Sequence, residues 1–331
     1  MVKAKVFVFE KLFDGLPKED DLKIVEEELP PIKNGEFLVE AIYLSVDPYM
    51  RAYTACHKIG ETNVGSQVGK ILESKNPGYP AGQYVVGNFG WRTHSISKAT
   101  VDAFGYKPTL VPNIGNLPLS LALGVLGMPG NTAYFGFLEI CTPQAGETVV
   151  VTGAAGAVGS HVGQIAKIKG CKVIGVTGSD EKGKWLVEEL GFDHFINYKT
   201  ADLDKALDEL APEKIDCYFD NVGGEISSII LRHMNNFGRI SVCGSISGYN
   251  NKSEKATTIQ RPMISLNLTM EGFIVSRWAN RWNEGIQQNL KWIKEGKLKY
   301  HETVTEGFEN MLKAFIELFT GGNVGKAIVK V

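Results

Sequence analysis

The chain has 331 residues, of which 44% are hydrophobic and 22% charged, with a formal net charge of -2. That is enough for two domains of ordinary globular composition, and the near-neutral balance argues against nucleic acid or an anionic membrane surface as the main partner. Cys56, Cys141, Cys171, Cys217 and Cys243 form no C-x-x-C pair, apolar runs stop short of membrane-spanning length, and the N-terminus lacks a signal-peptide core, which together predict a cytoplasmic protein with reduced thiols.

Residues 1 to about 120 read as β-rich. Val6, Phe7, Val8 and Phe9, residues 36–43 and residues 84–87 are strand-like, and Asn34 with Gly35, then Pro80, Ala81 and Gly82, mark turns between them. This predicts a barrel-like domain rather than a series of strand–helix–strand units. Between residues 116 and 138 the texture turns helical and glycine-rich, the mark of a domain junction, and Ser120 is placed to cap a helix.

Residues 148–172 organise the rest of the chain. Val149, Val150 and Val151 form an unbroken β-branched run, as in a parallel strand buried on both faces. Gly153, Gly156 and Gly159 then permit a tight turn, and Val158, Val162, Ile165, Ala166 and Ile168 recur at helical spacing. A helix therefore opens directly out of the turn, and its free N–H groups favour a pyrophosphate; an ordinary strand–helix turn is the plainer reading of the glycines alone. Downstream, strands at 172–177, 194–197, 216–222, 238–244 and 268–275 alternate with helices at 181–190, 203–210, 226–234 and 284–295. Alternation of this kind predicts a parallel sheet with right-handed crossovers, and a last strand at 325–331 returns toward the first domain.

The end of the second strand tests the cofactor. NAD-binding folds carry an acidic side chain there, whereas this chain reads Thr177, Gly178, Ser179, Asp180, Glu181 and Lys182. Gly178 and Ser179 leave room for a phosphate, and Lys182, about one helical turn on, can pair with the 2′-phosphate of NADP. Ser179 as a helix cap with Lys182 solvated, or Asp180 serving NAD, are the competing readings, and the poor ribose anchor at Gly178 favours NADP.

A β-rich domain, an alternating region and a returning tail resemble the medium-chain dehydrogenase/reductase superfamily. Where many of its zinc enzymes carry a cysteine and then a Gly-His-Glu motif, this chain has Val46, Asp47, Pro48 and Tyr49, then Gly65, Ser66, Gln67, Val68 and Gly69. No cysteine falls between residues 88 and 112, so no metal site is expected. The stretches Val46-Asp47-Pro48-Tyr49-Met50-Arg51, Gly127-Met128-Pro129-Gly130-Asn131-Thr132-Ala133-Tyr134, Asn197-Tyr198-Lys199, Phe219-Asp220-Asn221-Val222-Gly223-Gly224 and Gly322-Asn323-Val324-Gly325-Lys326 narrow the resemblance to the zinc-free alkenal/one oxidoreductases over nearly the whole chain. Residues 252–267 depart most: where relatives tend to be proline-rich, Lys252, Ser253, Glu254 and Lys255 stand with Pro262 alone.

The resemblance implies an α/β fold, with a GroES-like β-rich catalytic domain at 1–122 and 303–331 and a Rossmann doubly wound parallel-sheet domain binding NADP(H) at 123–302. It implies NADPH-dependent reduction of the double bond of α,β-unsaturated ketones and aldehydes, such as 15-oxo-prostaglandins and 4-hydroxy-2-alkenals, with oxidation of the leukotriene 12-hydroxyl secondary. A homodimer joined at the sheet edge is expected; a zinc-free quinone reductase and a non-catalytic NADPH-binding protein are the alternatives. By the same resemblance Gly156, Ala157, Val158 and Gly159 hold the pyrophosphate and Lys182 and Tyr198 the 2′-phosphate. Asn221, Cys243, Gly244, Ser245, Ile246, Ser247, Gly248, Tyr249, Phe273, Ile274, Val275 and Asn323 hold the rest of the cofactor. Tyr249 is also the candidate catalytic donor to the substrate carbonyl oxygen, where charge collects after hydride addition, or else a loop aromatic that only binds cofactor. The positions agree in part: Asn221 and Cys243 close predicted strands on the carboxyl edge, where ligands bind. Asn323 also reads as a turn residue, Tyr198 as a packing residue, Cys243 as a small buried hydrophobe, and His161 as exposed or packed rather than a ligand.

Overall fold

The computed structural model describes residues 1–102, 105–251 and 256–331; Lys252, Ser253, Glu254 and Lys255 of the divergent segment lie outside the described residues. The chain divides into two units, Met1–Gly124 with Glu302–Val331, and Val125–His301.

In the first unit β1 (Val2–Phe9) pairs antiparallel with β2 (Leu22–Leu29). Alternation along β1 puts Ala4, Val6 and Val8 in one apolar cluster and Phe7 and Phe9 in another. β3 (Phe37–Ser45) then pairs with β4 (Gln67–Ser74), which continues to β5 (Tyr84–Gly87). β6 (His94–Ser97) joins β3, and β7 (Thr109–Leu110) joins β5. A one-turn helix, α1 (Tyr49–Ala52), follows Pro48, whose fixed φ suits a helix start. Ser120 does not cap a helix. Pro118 begins the short 3-10 turn Leu119–Leu123, which places Ser120 inside it, where its hydroxyl donates to Glu302 Oε2 at 2.7 Å.

The second unit opens with α2 (Met128–Leu138) and then alternates: β8 (Thr148–Thr152), α3 (Ala157–Ile168), β9 (Lys172–Thr177), α4 (Asp180–Glu188), β10 (His194–Asn197), α5 (Leu203–Leu210), β11 (Ile215–Asp220), α6 (Gly224–Ile230), β12 (Met234–Val242), α7 (Ile246–Tyr249), α8 (Gln260–Ser265), β13 (Thr269–Gly272) and α9 (Trp282–Lys294). The six strands are parallel in the order β10-β9-β8-β11-β12-β13. Numbered from β8 this is the 3-2-1-4-5-6 order of a doubly wound sheet, with its reversal between β8 and β11. Val149, Val150 and Val151 are wholly buried, as two covered faces require, and each contributes about 1.5–3 kcal/mol of burial. The helix expected at 226–234 ends early: a 3-10 turn at Leu231–His233 leads into β12, because Met234 is an apolar strand residue of the sheet core. The last strand is shorter than expected as well. β13 stops at Gly272, and Val275 already starts the 3-10 segment Val275–Arg281.

The tail belongs to the first unit. β14 (Glu302–Glu306) runs parallel to β15 (Lys326–Lys330), which lies antiparallel to β3 with Ile328 opposite Ser45, and α10 (Met311–Thr320) connects them. Met311, Leu312 and Phe315 of α10 enter the core of Phe7, Phe9 and Trp91, and Phe315 meets Trp91 edge-on at 5.3 Å. Among the described residues, no helix is long and apolar enough to cross a membrane.

Candidate functional site

The carboxyl edge of the parallel sheet gathers most of the residues that the sequence points to. After β8 the chain passes through Gly153, at φ +57°, and reaches Gly156 in extended conformation, one residue before α3. A methyl at Gly159 would stand 2.4 Å from the Gly153 carbonyl oxygen, so only glycine lets α3 sit this close to its own turn. Among the described residues no side chain caps α3. Ala157, Val158 and Gly159 thus present first-turn N–H groups, which an intrahelical acceptor never reaches, at the positive end of the helix dipole. That is a cradle for an anion.

One strand outward, β9 ends at Thr177 and Gly178 leads to Ser179. Ser179 does cap α4, accepting from the Lys182 N–H at 3.3 Å. The cap and the ammonium are therefore not rivals, because the cap uses only the backbone of Lys182. Lys182 is half-buried, and its ammonium is held below the usual lysine range by that burial and then by Lys199. A methyl at Gly178 would stand 3.3 Å from the Tyr198 hydroxyl and 3.3 Å from Cε of Lys199. Around this glycine, then, stand a half-buried lysine's helix, a phenol and a second lysine. Sequence reasoning passes over Lys199; its place directly after Tyr198 is the signal that points to it.

At the reversal between β8 and β11 a buried carboxylate sets the loops. Asp220 accepts from the N–H groups of Val222 and Gly223, both at 2.9 Å, and from Thr152 Oγ1 at 3.2 Å. Its carbonyl accepts from the N–H groups of Cys243 at 2.8 Å and Gly244 at 3.1 Å. One residue thereby ties together the ends of β8, β11 and β12. Asn221, next along, donates from Nδ2 to the Thr152 carbonyl at 2.7 Å and so lies across the glycine turn. The loop beyond β12 rests on this frame: Ile246 N–H donates to the Asn221 carbonyl at 3.3 Å, Ser247 N–H to the Val222 carbonyl at 3.1 Å, and Ser247 Oγ to the same Val222 oxygen. Sequence reasoning also passes over Asp220 and Thr152, although a carboxylate closing the apolar run Cys217, Tyr218, Phe219 is visible there.

Tyr249 ends the short α7 and its hydroxyl turns back over the loop. It accepts from the Ser245 N–H at 3.5 Å, and a methyl on Gly244 would stand 3.2 Å from it. Accepting one hydrogen bond makes a hydroxyl a better donor of the next. Cys243 is half-buried, and burial, with the Asp220 charge behind it, pushes its thiol up to about 12, which makes it an inert thiol at neutral pH.

Phe273, Ile274 and Val275 lie past the end of β13, not in it. Phe273 presses on Gly136 of α2, where a methyl would come within 2.2 Å of the ring, and packs edge-on against Trp278 at 5.4 Å. Its N–H donates to the Val242 carbonyl at 3.3 Å, Ile274 is 64% exposed, and Val275 is buried. Asn323 belongs to the other unit, where its Nδ2 donates to the Gly325 carbonyl at 3.0 Å in the turn before β15. His161, inside α3, is packed: burial alone pushes it down to about 4.

The sequence matches two family models, an N-terminal domain of oxidoreductase over residues 5–102 and a zinc-binding dehydrogenase over residues 157–293. It is 51% identical to prostaglandin reductase 1 of Bos taurus, covering 100% of both chains. It is 39% identical to an NADP(+)-dependent 2-alkenal reductase of Nicotiana tabacum, covering 100% of this chain and 98% of that one. The crystal structure of CurA in complex with NADPH from Vibrio vulnificus superposes with a TM-score of 0.91 at 35% identity, covering 99% of each chain. This chain belongs to the medium-chain dehydrogenase/reductase family.

Zinc, which one of those family models carries in its description, does not suit the donors of this medium-chain dehydrogenase/reductase. At the first ligand place Asp47 pairs with the Lys326 ammonium at 3.1 Å and accepts from Ser45. Lys326 is 2% exposed and also donates to the carbonyls of Val46 at 2.8 Å and Ala327 at 2.7 Å. Burial holds this ammonium below the usual lysine range, and Asp47 opposes that shift. At the second place Gln67 spends its amide on the Gly90 carbonyl at 2.8 Å. A committed carboxylate and an amide are poor replacements for thiolate and imidazole. The nucleotide fits better: the glycine cradle, and Lys199 at Gly178 with Lys182 near it, suit the two anionic parts of NADP.

Proposed function

We propose that this protein reduces the carbon–carbon double bond of α,β-unsaturated ketones and aldehydes at the expense of NADPH. One observation carries the cofactor reading: Tyr198 and Lys199 flank the glycine at the end of β9, with Lys182 close enough to feel the Lys199 charge, where an NAD site would keep a carboxylate beside the ribose hydroxyls. Full-length similarity to prostaglandin reductase 1 and to a 2-alkenal reductase supports the substrate class. We take the substrates to be lipid-derived enones, 15-oxo-prostaglandins and 4-hydroxy-2-alkenals, with oxidation of the leukotriene 12-hydroxyl secondary.

NADPH, when bound, supplies the hydride that saturates the β-carbon. The chain's own part is to hold and to polarise. The α3 N-terminus, from Gly156 through Ala157 and Val158 to Gly159, takes the pyrophosphate, and Lys182 with Tyr198 takes the 2′-phosphate. Asn221 and the loop of Cys243, Gly244, Ser245, Ile246, Ser247 and Gly248 keep the reactive ring in place on the frame made by Asp220, with Phe273, Ile274 and Val275 completing its surroundings. Negative charge gathers on the substrate carbonyl oxygen, and Tyr249 is the donor we assign to it. A metal is not required for this reaction, since a hydrogen bond meets the same charge.

The free state of all five cysteines is in keeping with a cytoplasmic location. β13 is an edge strand, and Ile264 and Ile274 beside it are 78% and 64% exposed, which supports a homodimer formed there. The test of function is the loss of NADPH absorbance with 15-oxo-prostaglandin, a 4-hydroxyalkenal and a quinone in parallel. Turnover of the two enones is expected; turnover of the quinone alone selects a quinone reductase, and tight NADPH binding without turnover a non-catalytic role.

A further inference from the structure

We infer that Lys199 is a second cation for the cofactor's 2′-phosphate, and that Asn197 secures this role by fixing the Lys199 backbone while holding the Asp180 carboxylate aside. The inference rests on the proposed NADP site and extends it to residues outside that assignment.

Three observations carry it. Cε of Lys199 and the Tyr198 hydroxyl flank Gly178 together, each 3.3 Å from where a methyl there would lie. The exposed Lys199 is therefore directed back at the strand end rather than out along its own turn. Next, Asn197 is 7% exposed and both ends of its amide are engaged: Nδ2 donates to Asp180 Oδ1 at 2.8 Å, and Oδ1 accepts from the Lys199 N–H at 3.1 Å. Tyr198 N–H donates to the Thr177 carbonyl at 3.1 Å, which fixes the end of β10 against the end of β9. Finally, Lys199 lies close enough to Lys182 to disfavour the Lys182 charge. Two like charges brought together at a strand end raise the free energy of the empty site, and a dianion between them reverses the sign of that contribution.

The role of Asn197 rests on the effect Asp180 would otherwise have. An acidic side chain just past the second strand is the group that accepts the ribose hydroxyls of NAD, and the same charge repels a 2′-phosphate. Here that carboxylate exists, at the first residue of α4, yet one of its oxygens is held by Asn197 on the β10 side. Asn197 thereby decides cofactor choice without touching the phosphate.

Isothermal titration with 2′,5′-ADP and with 5′-AMP isolates the phosphate from the rest of the cofactor. Lys199→Ala should weaken 2′,5′-ADP about tenfold or more, the scale of one charge-assisted hydrogen bond, and leave 5′-AMP within about twofold. Lys184→Ala, which removes the same charge from an exposed position on α4, should leave both within about twofold. Asn197→Leu should weaken 2′,5′-ADP, and adding Asp180→Ala to it should restore part of the loss. Equal weakening of both nucleotides by Lys199→Ala, or none, overturns the role of Lys199; no recovery in the double variant overturns that of Asn197. If Lys182→Ala weakens 2′,5′-ADP selectively while Lys199→Ala does not, the NADP reading stands and the inference falls. Wild-type protein that binds 2′,5′-ADP no more tightly than 5′-AMP removes the NADP reading itself.

Discussion

Tyr249 is the residue whose removal says most about the chemistry. Its hydroxyl already accepts from Ser245, and as the donor to a developing oxyanion it should be worth about 2.7–4 kcal/mol. Tyr249→Phe is therefore expected to lower kcat by about 10²-fold or more, with the KM for NADPH little changed; an unaltered kcat with a raised cofactor KM would reassign it to binding. His161 has a different consequence, for stability. Its folded pKa, about 4, lies below the unfolded value of 6.5 because the ring is buried. The stability it permits is complete above pH 6.5 and is lost as pH falls toward 4, where the unfolded chain takes up a proton that the folded one refuses. The loss approaches about 3 kcal/mol across that window. Urea unfolding of His161→Leu should show a smaller drop between pH 7.5 and pH 5 than wild type. At this scale the sequence was informative where a residue type has one purpose, as with Gly156 and Gly159. It said little about Asp220 and Lys199, whose work depends on partners on other strands.

At the scale of elements, the strand–turn–helix from β8 to α3 combines stability and binding in one contact. Gly159→Ala puts a methyl against the Gly153 carbonyl, which is backbone and cannot swing away, so the turn itself must move. A cost of about 1–3 kcal/mol is expected in thermal unfolding, together with weaker NADPH binding. Full NADPH affinity in a destabilised Gly159→Ala protein would separate the turn from the cofactor. Apolar periodicity gave the alternation of strands and helices because both faces of the sheet are covered. It misplaced ends where periodicity is silent. Phe273, Ile274 and Val275 look like strand residues, but Phe273 fills the space left by Gly136, and the chain leaves the sheet to put it there. Ser120 has the chemistry of a cap, yet Pro118 sets the start of its turn.

For the whole molecule, the first unit is built from the two ends of the chain with all of the second between them. β15 is an interior strand of its sheet, between β14 and β3, so that sheet cannot be completed until residues from opposite sides of the second unit meet. Loop closure over such a separation is slow compared with the short-range pairing of β8, β9 and β10. The fold therefore carries its own clock. Trp91 is the one tryptophan of the first unit in the sequence and is wholly buried against Phe315 of the tail, while Trp185, Trp278, Trp282 and Trp292 belong to the second unit. Stopped-flow refolding of wild type against Trp91→Phe should assign the slowest fluorescence phase to Trp91, and its loss from no phase in particular would mean the two units fold together. A nascent or refolding chain would then own a finished nucleotide-binding sheet before it owned the domain that lies at both of its ends.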